Sequence, residues 1–345
     1  MRRPSLSSAA GILVSVVSLA AVAYWISRQS APELPHDAAG FAWLAAALTT
    51  SSITFACRGW RWHRVMRLAH IPHRRRDAYA LTLVAYMGNT VLPARGGELL
   101  KIGLLGTRTT ARRREILGSV IAERLLDAVT LAILFVVLAA VGAEGLPEGR
   151  GSAAAVGAVL LGLAALLAAY LRLRRAGRFE RFAETIRPVA YASKIFARRH
   201  GAPLVALSLV LWCLEGVTFL FIARSAGVEL SAIAAISVVV IASLFAAIPA
   251  APGFAGTFDA GIVLGLKAAG VGGGEAVGVL LLARIMFFGP VTAVGFAVLM
   301  LGYGGLRPAS RTLHRTSPED EELLAEQPPG ERGAEVAAGQ PGARG

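Results

Sequence analysis

Apolar positions in this chain fall in long blocks rather than in short amphipathic stripes. A helix needs about 20 mostly apolar residues to cross roughly 30 Å of hydrocarbon. Six stretches meet or approach that length: 9–26, 38–57, 116–141, 153–171, 203–223 and 275–302. Two more, 78–94 and 231–271, are equally apolar but interrupted by Pro, Gly and polar residues. The pattern predicts an all-α, polytopic membrane protein.

Charge orients the spans. Segment 58–76 carries seven Arg and no acid, 95–115 holds Arg95, Lys101, Arg108, Arg112, Arg113 and Arg114, and 172–200 holds nine basic residues. The stretches 27–37, 142–152 and 224–230 each carry one Arg beside acids. The excess of Lys and Arg on cytoplasmic loops places the first group inside and the second outside, with both termini cytoplasmic. The block 78–94 then has cytoplasmic loops on both flanks, so it cannot be a simple span. Gly88, Asn89 and Pro93 interrupt it, and Gly97 follows in 96–106, which is read as the return arm. The same logic makes 231–271 a second re-entrant hairpin opening outward, broken at Pro249, Pro252, Gly253 and Gly256. Irregular backbone at membrane depth is tolerated only inside protein or along a wet cavity. Each half thus reads span, span, hairpin, span. The expectation is a membrane domain over 1–302, with inverted repeats 1–141 and 153–302 and about six full spans. The spacing agrees: Pro93 to Arg124 is 31 residues and Pro252 to Arg284 is 32. Residues 303–345, rich in Pro, Gly, Glu and Ala, read as a disordered cytoplasmic tail.

Composition narrows the function. The chain has 345 residues, 55% hydrophobic and only 17% charged, with a mean hydropathy of +0.60; soluble domains carry about 25% charge. A soluble enzyme, a disulfide scaffold and a disordered regulator are excluded. Cys57 and Cys213 both sit in apolar runs, which leaves no disulfide or zinc framework. The net charge of +13 lies beside membrane spans, where it faces anionic lipid, so nucleic acid is not an expected partner. His63, His70 and His73 lie in an Arg-rich loop without a ligand cluster, and no phosphate-cradling glycine motif follows a strand, so no metal or other cofactor is expected. Phe179, Phe182, Ile186 and Val189, at helical spacing among Arg residues, suit a helix on the inner leaflet. Arg2 and Arg3 before an apolar run also fit a cleaved signal peptide, but the run continues through Tyr24-Trp25-Ile26, which favours a span.

The candidate chemistry is ionic. Glu123, Arg124 and Asp127 lie inside the span 116–141, Asp127 on the order of 16 Å from its start. A charge at that depth costs about 2.5–3.5 kcal/mol on insertion scales. Their i, i+3 and i, i+4 spacing puts them on one face. Either Arg124 and Asp127 merely pair to hold helices together, or the set lines a headgroup path. Glu123 remains a surplus anion and Arg284 a surplus cation, and their contact across the halves is expected. Arg95, Glu98 and Lys101, at the mouth of the first hairpin, form a cup for an anionic headgroup, or else Arg95 simply snorkels to the cytoplasmic surface. Asp259 and Lys267 follow the second break, eight apart; they are expected to face the same cavity from outside, with a solvated loop as the alternative for Lys267. Glu215, alone in span 203–223, accepts a hydrogen bond from a neighbouring helix or takes up a proton.

Four blocks together, GNTVLPARGGELLK (88–101), SVIAERLLDAV (119–129), IPAAPGFAGTFDA (248–260) and ARIMFFGP (283–290), resemble the lysylphosphatidylglycerol synthase transmembrane-region family, also called flippase-like integral membrane proteins. The resemblance spans about 9–302. It implies transfer of a polar-headed lipid between leaflets of the cell membrane, with membrane lipids, an anionic phospholipid or an isoprenoid-linked lipid, as partners. The synthase domain that follows this region in fused members has no counterpart here, and no activated-donor site is visible, so an enzyme is not expected. The alternative is an accessory scaffold for a separate lipid-modifying or glycosyl-transferring enzyme. A homo-oligomer is open in either case.

Overall fold

The computed structural model describes residues 34–92, 95–146, 201–247 and 252–305, with scattered positions between 20 and 32. The expected spans 9–26 (for the most part) and 153–171, the surface helix within 172–200, the breaks at Pro93 and Pro249, and nearly all of the tail lie outside the described residues. Among the described residues every regular element is helical. They are α1 (Ala38–Leu68), α2 (Arg75–Val91), α3 (Gly96–Gly106), α4 (Arg113–Ala140), α5 (Gly201–Ser225), α6 (Ala232–Ala246), α7 (Thr257–Ala268) and α8 (Gly273–Tyr303), with a 3-10 turn at Pro252–Phe254 before α7. Of these, α1, α5 and α8 are long and apolar enough to cross a membrane. Side chains start two of the helices: Asp37 Oδ1 accepts from Gly40 N at 2.8 Å, and Ser231 Oγ accepts from Ala234 N at 3.0 Å.

Helices α2 and α3 form an antiparallel hairpin. At its closed end Gly88 meets Gly97; at its open end Arg108 reaches Asp77 at 3.1 Å. Glycine is required at 97, because a Cβ there would lie 1.9 Å from the Ala85 carbonyl oxygen and 2.6 Å from Asn89 N. Helices α6 and α7 repeat the arrangement, with Gly261 against Ala242 and Gly265 against Val238. Helix α4 starts near the open end of the first hairpin and finishes at that of the second, where Ser231 donates to Glu144 at 3.0 Å. Helix α8 runs the other way, and Tyr303 OH donates to Asp77 at 2.9 Å. The two hairpins therefore open toward opposite ends of the bundle.

The contacts carry a regularity. With α1 to α4 matched to α5 to α8, each principal contact has its counterpart: α1 on α2 with α5 on α6, α2 on α8 with α6 on α4, α3 on α4 with α7 on α8, while α1 packs on α5. The apolar cores follow suit. One joins Trp62, Leu81, Leu104 and Ile116 to Leu299 and Tyr303 from the end of α8. The other joins Phe219, Val238 and Ile262 to Leu131 and Phe135 from the second half of α4.

Three expectations are corrected. Gly88, Asn89 and Gly97 are helical, not breaks; they are the small or polar residues that let α2, ending at Val91, and α3, beginning at Gly96, close on each other. Segment 58–76 is not wholly a loop, since α1 continues to Leu68 and buries Arg58, Arg61, Trp62, Val65 and Met66 on one face. His63, in that helical extension, lies with Nδ1 2.7 Å from His73 Nε2. Glu123 and Arg284 do not meet, because each is already paired with a nearer opposite charge.

Candidate functional site

Each hairpin delivers one acid to its own half. Glu98 is the third residue of α3 and Asp259 the third residue of α7. Arg124 of α4 approaches Glu98 at 3.6 Å and Asp127 at 3.4 Å. Arg284 of α8 grips Asp259 through two parallel contacts, Nε to Oδ1 and Nη2 to Oδ2, the latter at 2.6 Å. It also donates from Nη1 to the Gly253 carbonyl at 2.6 Å, while Asp259 Oδ2 accepts from Gly256 N at 2.9 Å. Arg284 and Asp259 thereby tie the second turn to α8. The corresponding pair in the first half is looser, and its Arg124 has no hydrogen-bonded partner at Nε.

The turns touch. Arg95 and Phe254 occupy equivalent places and share a left-handed backbone, φ 56° and 54°, a conformation that costs a non-glycine residue of order 1–3 kcal/mol. The Arg95 guanidinium lies 5.3 Å from the centre of the Phe254 ring and donates to the Ala246 carbonyl at 2.8 Å.

Around this meeting point lies a cavity of about 250 Å³. One wall is ionic: Arg58, Arg124, Asp127 and Glu215, with Tyr86 and Trp212. Arg58 donates to Glu215 at 2.7 Å and packs against the Tyr86 and Trp212 rings, so Glu215 has the hydrogen-bonded role. Phe254, Phe258, Phe287 and Phe288 add an aromatic lining, with Phe258 edge-on to Phe288 at 5.4 Å. Such a cavity matches a molecule that is polar at one end and oily at the other.

Behind the ionic wall sits a second layer. Arg61 donates to Asp127 and to Ser208 Oγ, at 2.7 and 2.8 Å, and lies 3.9 Å from Glu123. Lys101 donates to Glu123 at 2.6 Å with its ammonium 3.6 Å from the centre of the Trp62 ring. Of the residues singled out from the sequence, Arg95, Arg124 and Asp127 line the cavity. Glu98 abuts it through Arg124, Lys101 and Glu123 stand in the supporting layer, and Asp259 and Arg284 fasten the second turn. Asn89 lines the cavity, Pro252 opens the 3-10 turn, Gly253 carries φ 65°, and Gly256 precedes α7. Sequence reasoning missed Arg58, Arg61, Tyr86 and Trp212. The visible signal for the first two was the stripe Arg58, Arg61, Trp62, Val65, Met66, which has the spacing of one helix face.

The family model described as "Lysylphosphatidylglycerol synthase TM region" matches residues 8–295. A UPF0104 membrane protein of Methanothermobacter thermautotrophicus is 24% identical over 84% of this chain and 93% of its own length. The Glycosyltransferase AglD of Haloferax volcanii is 24% identical over 72% of this chain, which covers 47% of that relative.

Proposed function

This chain belongs to the lysylphosphatidylglycerol synthase transmembrane-region family, and we propose that it moves a lipid with a polar or anionic headgroup between the leaflets of the cell membrane. The observation that carries this reading is the cavity beside the contact of Arg95 with Phe254, lined by both ionic and aromatic side chains. Hairpin arms of 17, 11, 15 and 12 residues are each shorter than the roughly 30 Å of hydrocarbon at 1.5 Å per residue, so each hairpin enters and leaves on one side. Their opposite openings and the matched contacts of the two halves fit an inverted repeat, in which the substrate site lies at the repeat interface near mid-membrane. Both termini are then cytoplasmic, in keeping with the basic loops.

No covalent chemistry is required. Fixed charges replace part of the water lost by the headgroup, which lowers the barrier to crossing, while the acyl chains remain in the bilayer or against the phenylalanines. In proteoliposomes, labelled phospholipids and isoprenoid phosphates are expected to exchange leaflets faster with the protein than without it. Arg124→Gln is expected to slow exchange roughly tenfold or more, the scale of one lost charge-assisted hydrogen bond. No protein-dependent exchange of any lipid would refute translocation.

A second reading draws on the match to a portion of a glycosyltransferase: an accessory membrane unit that holds a lipid for a partner enzyme. That unit would show no exchange at all, and folded Arg124→Gln would leave docking of the enzyme intact.

A further inference from the structure

The charges around the cavity do not balance. Arg58 is paired with Glu215, Arg61 and Arg124 with Asp127, Lys101 with Glu123, and Glu98 with Arg124. Five cations thus surround four carboxylates, and the odd one is Arg95. Among the described residues it has no ion pair; its one hydrogen bond goes to a neutral carbonyl. Arg124, a like charge, acts on it through space, as do the opposite charges of Glu98 and Asp127 without contacting it. A half-buried cation without an ion pair is costly to hold away from water, and a like charge acting on it adds to that cost. A bound anion relieves both.

Several buried polar atoms of the lining residues lack a hydrogen-bond partner, among them the acceptors Asn89 Oδ1 and Asp127 Oδ2. Trp212 Nε1–H has no partner although the residue is 8% exposed, and Arg58 Nε and Arg124 Nε also lack one. The lining cations and the indole come from four separate elements, α1, the first turn, α4 and α5. A planar carboxylate uses one fork-shaped donor, whereas a tetrahedral phosphate offers oxygens in several directions. One surplus positive charge matches one negative charge. A phosphodiester carries that single charge, whereas a phosphomonoester carries about −1.5 to −2 at neutral pH.

From this imbalance we infer that the cavity selects a headgroup of net charge −1, a phosphodiester held between Arg95 and Arg124 with the Trp212 indole as a third donor. A simple anionic glycerophospholipid meets this description; a zwitterionic headgroup or a cationic aminoacyl ester of the same lipid does not. The inference deepens the translocation reading and rests on it for the physiological source of the ligand, but binding is measured without transport.

The test uses the full chain in a neutral detergent, with tryptophan fluorescence as the readout. The probes are dioctanoyl phosphatidylglycerol, its lysyl ester, dioctanoyl phosphatidylcholine and water-soluble glycerophosphoglycerol. The anionic lipid is expected to bind at least about tenfold more tightly than the other two lipids, as one charge-assisted contact predicts. Binding of the soluble phosphodiester, competitive with the lipid, would identify the phosphate itself as the recognised group; saturable binding of the lipid alone would add the apolar wall as a requirement. Arg95→Gln is expected to collapse the preference to near parity, with Arg95→Lys retaining most of it and both variants keeping the wild-type unfolding temperature within a few degrees. Trp212→Phe, which keeps the ring and removes the donor, is expected to weaken the anionic lipid more than the zwitterionic one, read by native mass spectrometry. Equal binding of the three lipids by the wild type, or an unchanged preference in Arg95→Gln, overturns the inference. Leaflet exchange without charge preference would overturn it while leaving translocation standing, and selective binding without exchange would do the reverse.

Discussion

Glu123→Gln is expected to destabilise the protein by about 3–5 kcal/mol, the range for stripping one partner from a buried ion pair. The Glu123 side chain is 2% exposed, and it compensates Lys101 at 2.6 Å and Arg61 at 3.9 Å. Gln preserves the shape and a hydrogen-bond acceptor, so the loss isolates the charge. Lys101→Met alone leaves the opposite charge stranded and is expected to cost a comparable amount. The double variant Lys101→Met with Glu123→Gln is expected to recover much of it, because neither charge is then left without its mate. Unfolding of the four proteins in one detergent measures the coupling. Additive losses would show that the two residues act independently and that the supporting layer is misassigned.

Gly97→Ala has the second large effect, and it arises from space alone. Its new methyl would occupy the position of the Ala85 carbonyl oxygen, 1.9 Å away, with Asn89 N at 2.6 Å. Backbone atoms cannot rotate aside, so α2 and α3 must separate and give up their contact. The expected outcome is little or no monodisperse protein on fluorescence-detected size exclusion. Gly302→Ala is the control. It too lies within a helix, but nothing stands within 4 Å of its new methyl. There the greater helix propensity of Ala is expected to leave stability unchanged or raise it by up to about 1 kcal/mol. If both substitutions behave alike, close approach is not what holds the first hairpin together.

Much of the architecture was legible. Apolar length marked α1, α4, α5 and α8; basic flanks on both sides of one apolar block marked the first helical hairpin, and an outer loop before 231–271 with a single clean span after it marked the second. The acid that follows each turn and the Arg of each final helix also stood out, since glycine, acid and Arg recur at nearly equal intervals. Partner choice was not legible. Opposite charges attract regardless of which half they come from, so spacing alone permitted Glu123 with Arg284. The folded chain pairs each Arg with the acid of its own hairpin because α3 lies on α4 and α7 on α8. Arg58 and Arg61 were hidden for a different reason. Counting basic residues identifies cytoplasmic loops but is blind to the phase of a helix. Here a helix runs into an Arg-rich segment and turns two of those residues inward, where Glu215 and Asp127 await them. Trp212 could be recognised as a donor only once its neighbours were known.

Under the proposed translocation, the left-handed elbows at Arg95 and Phe254 act as one fulcrum. Arg95 bears on the ring of the opposing elbow and holds the last turn of α6 through the Ala246 carbonyl. A swing of either arm is therefore transmitted to the other rather than absorbed locally.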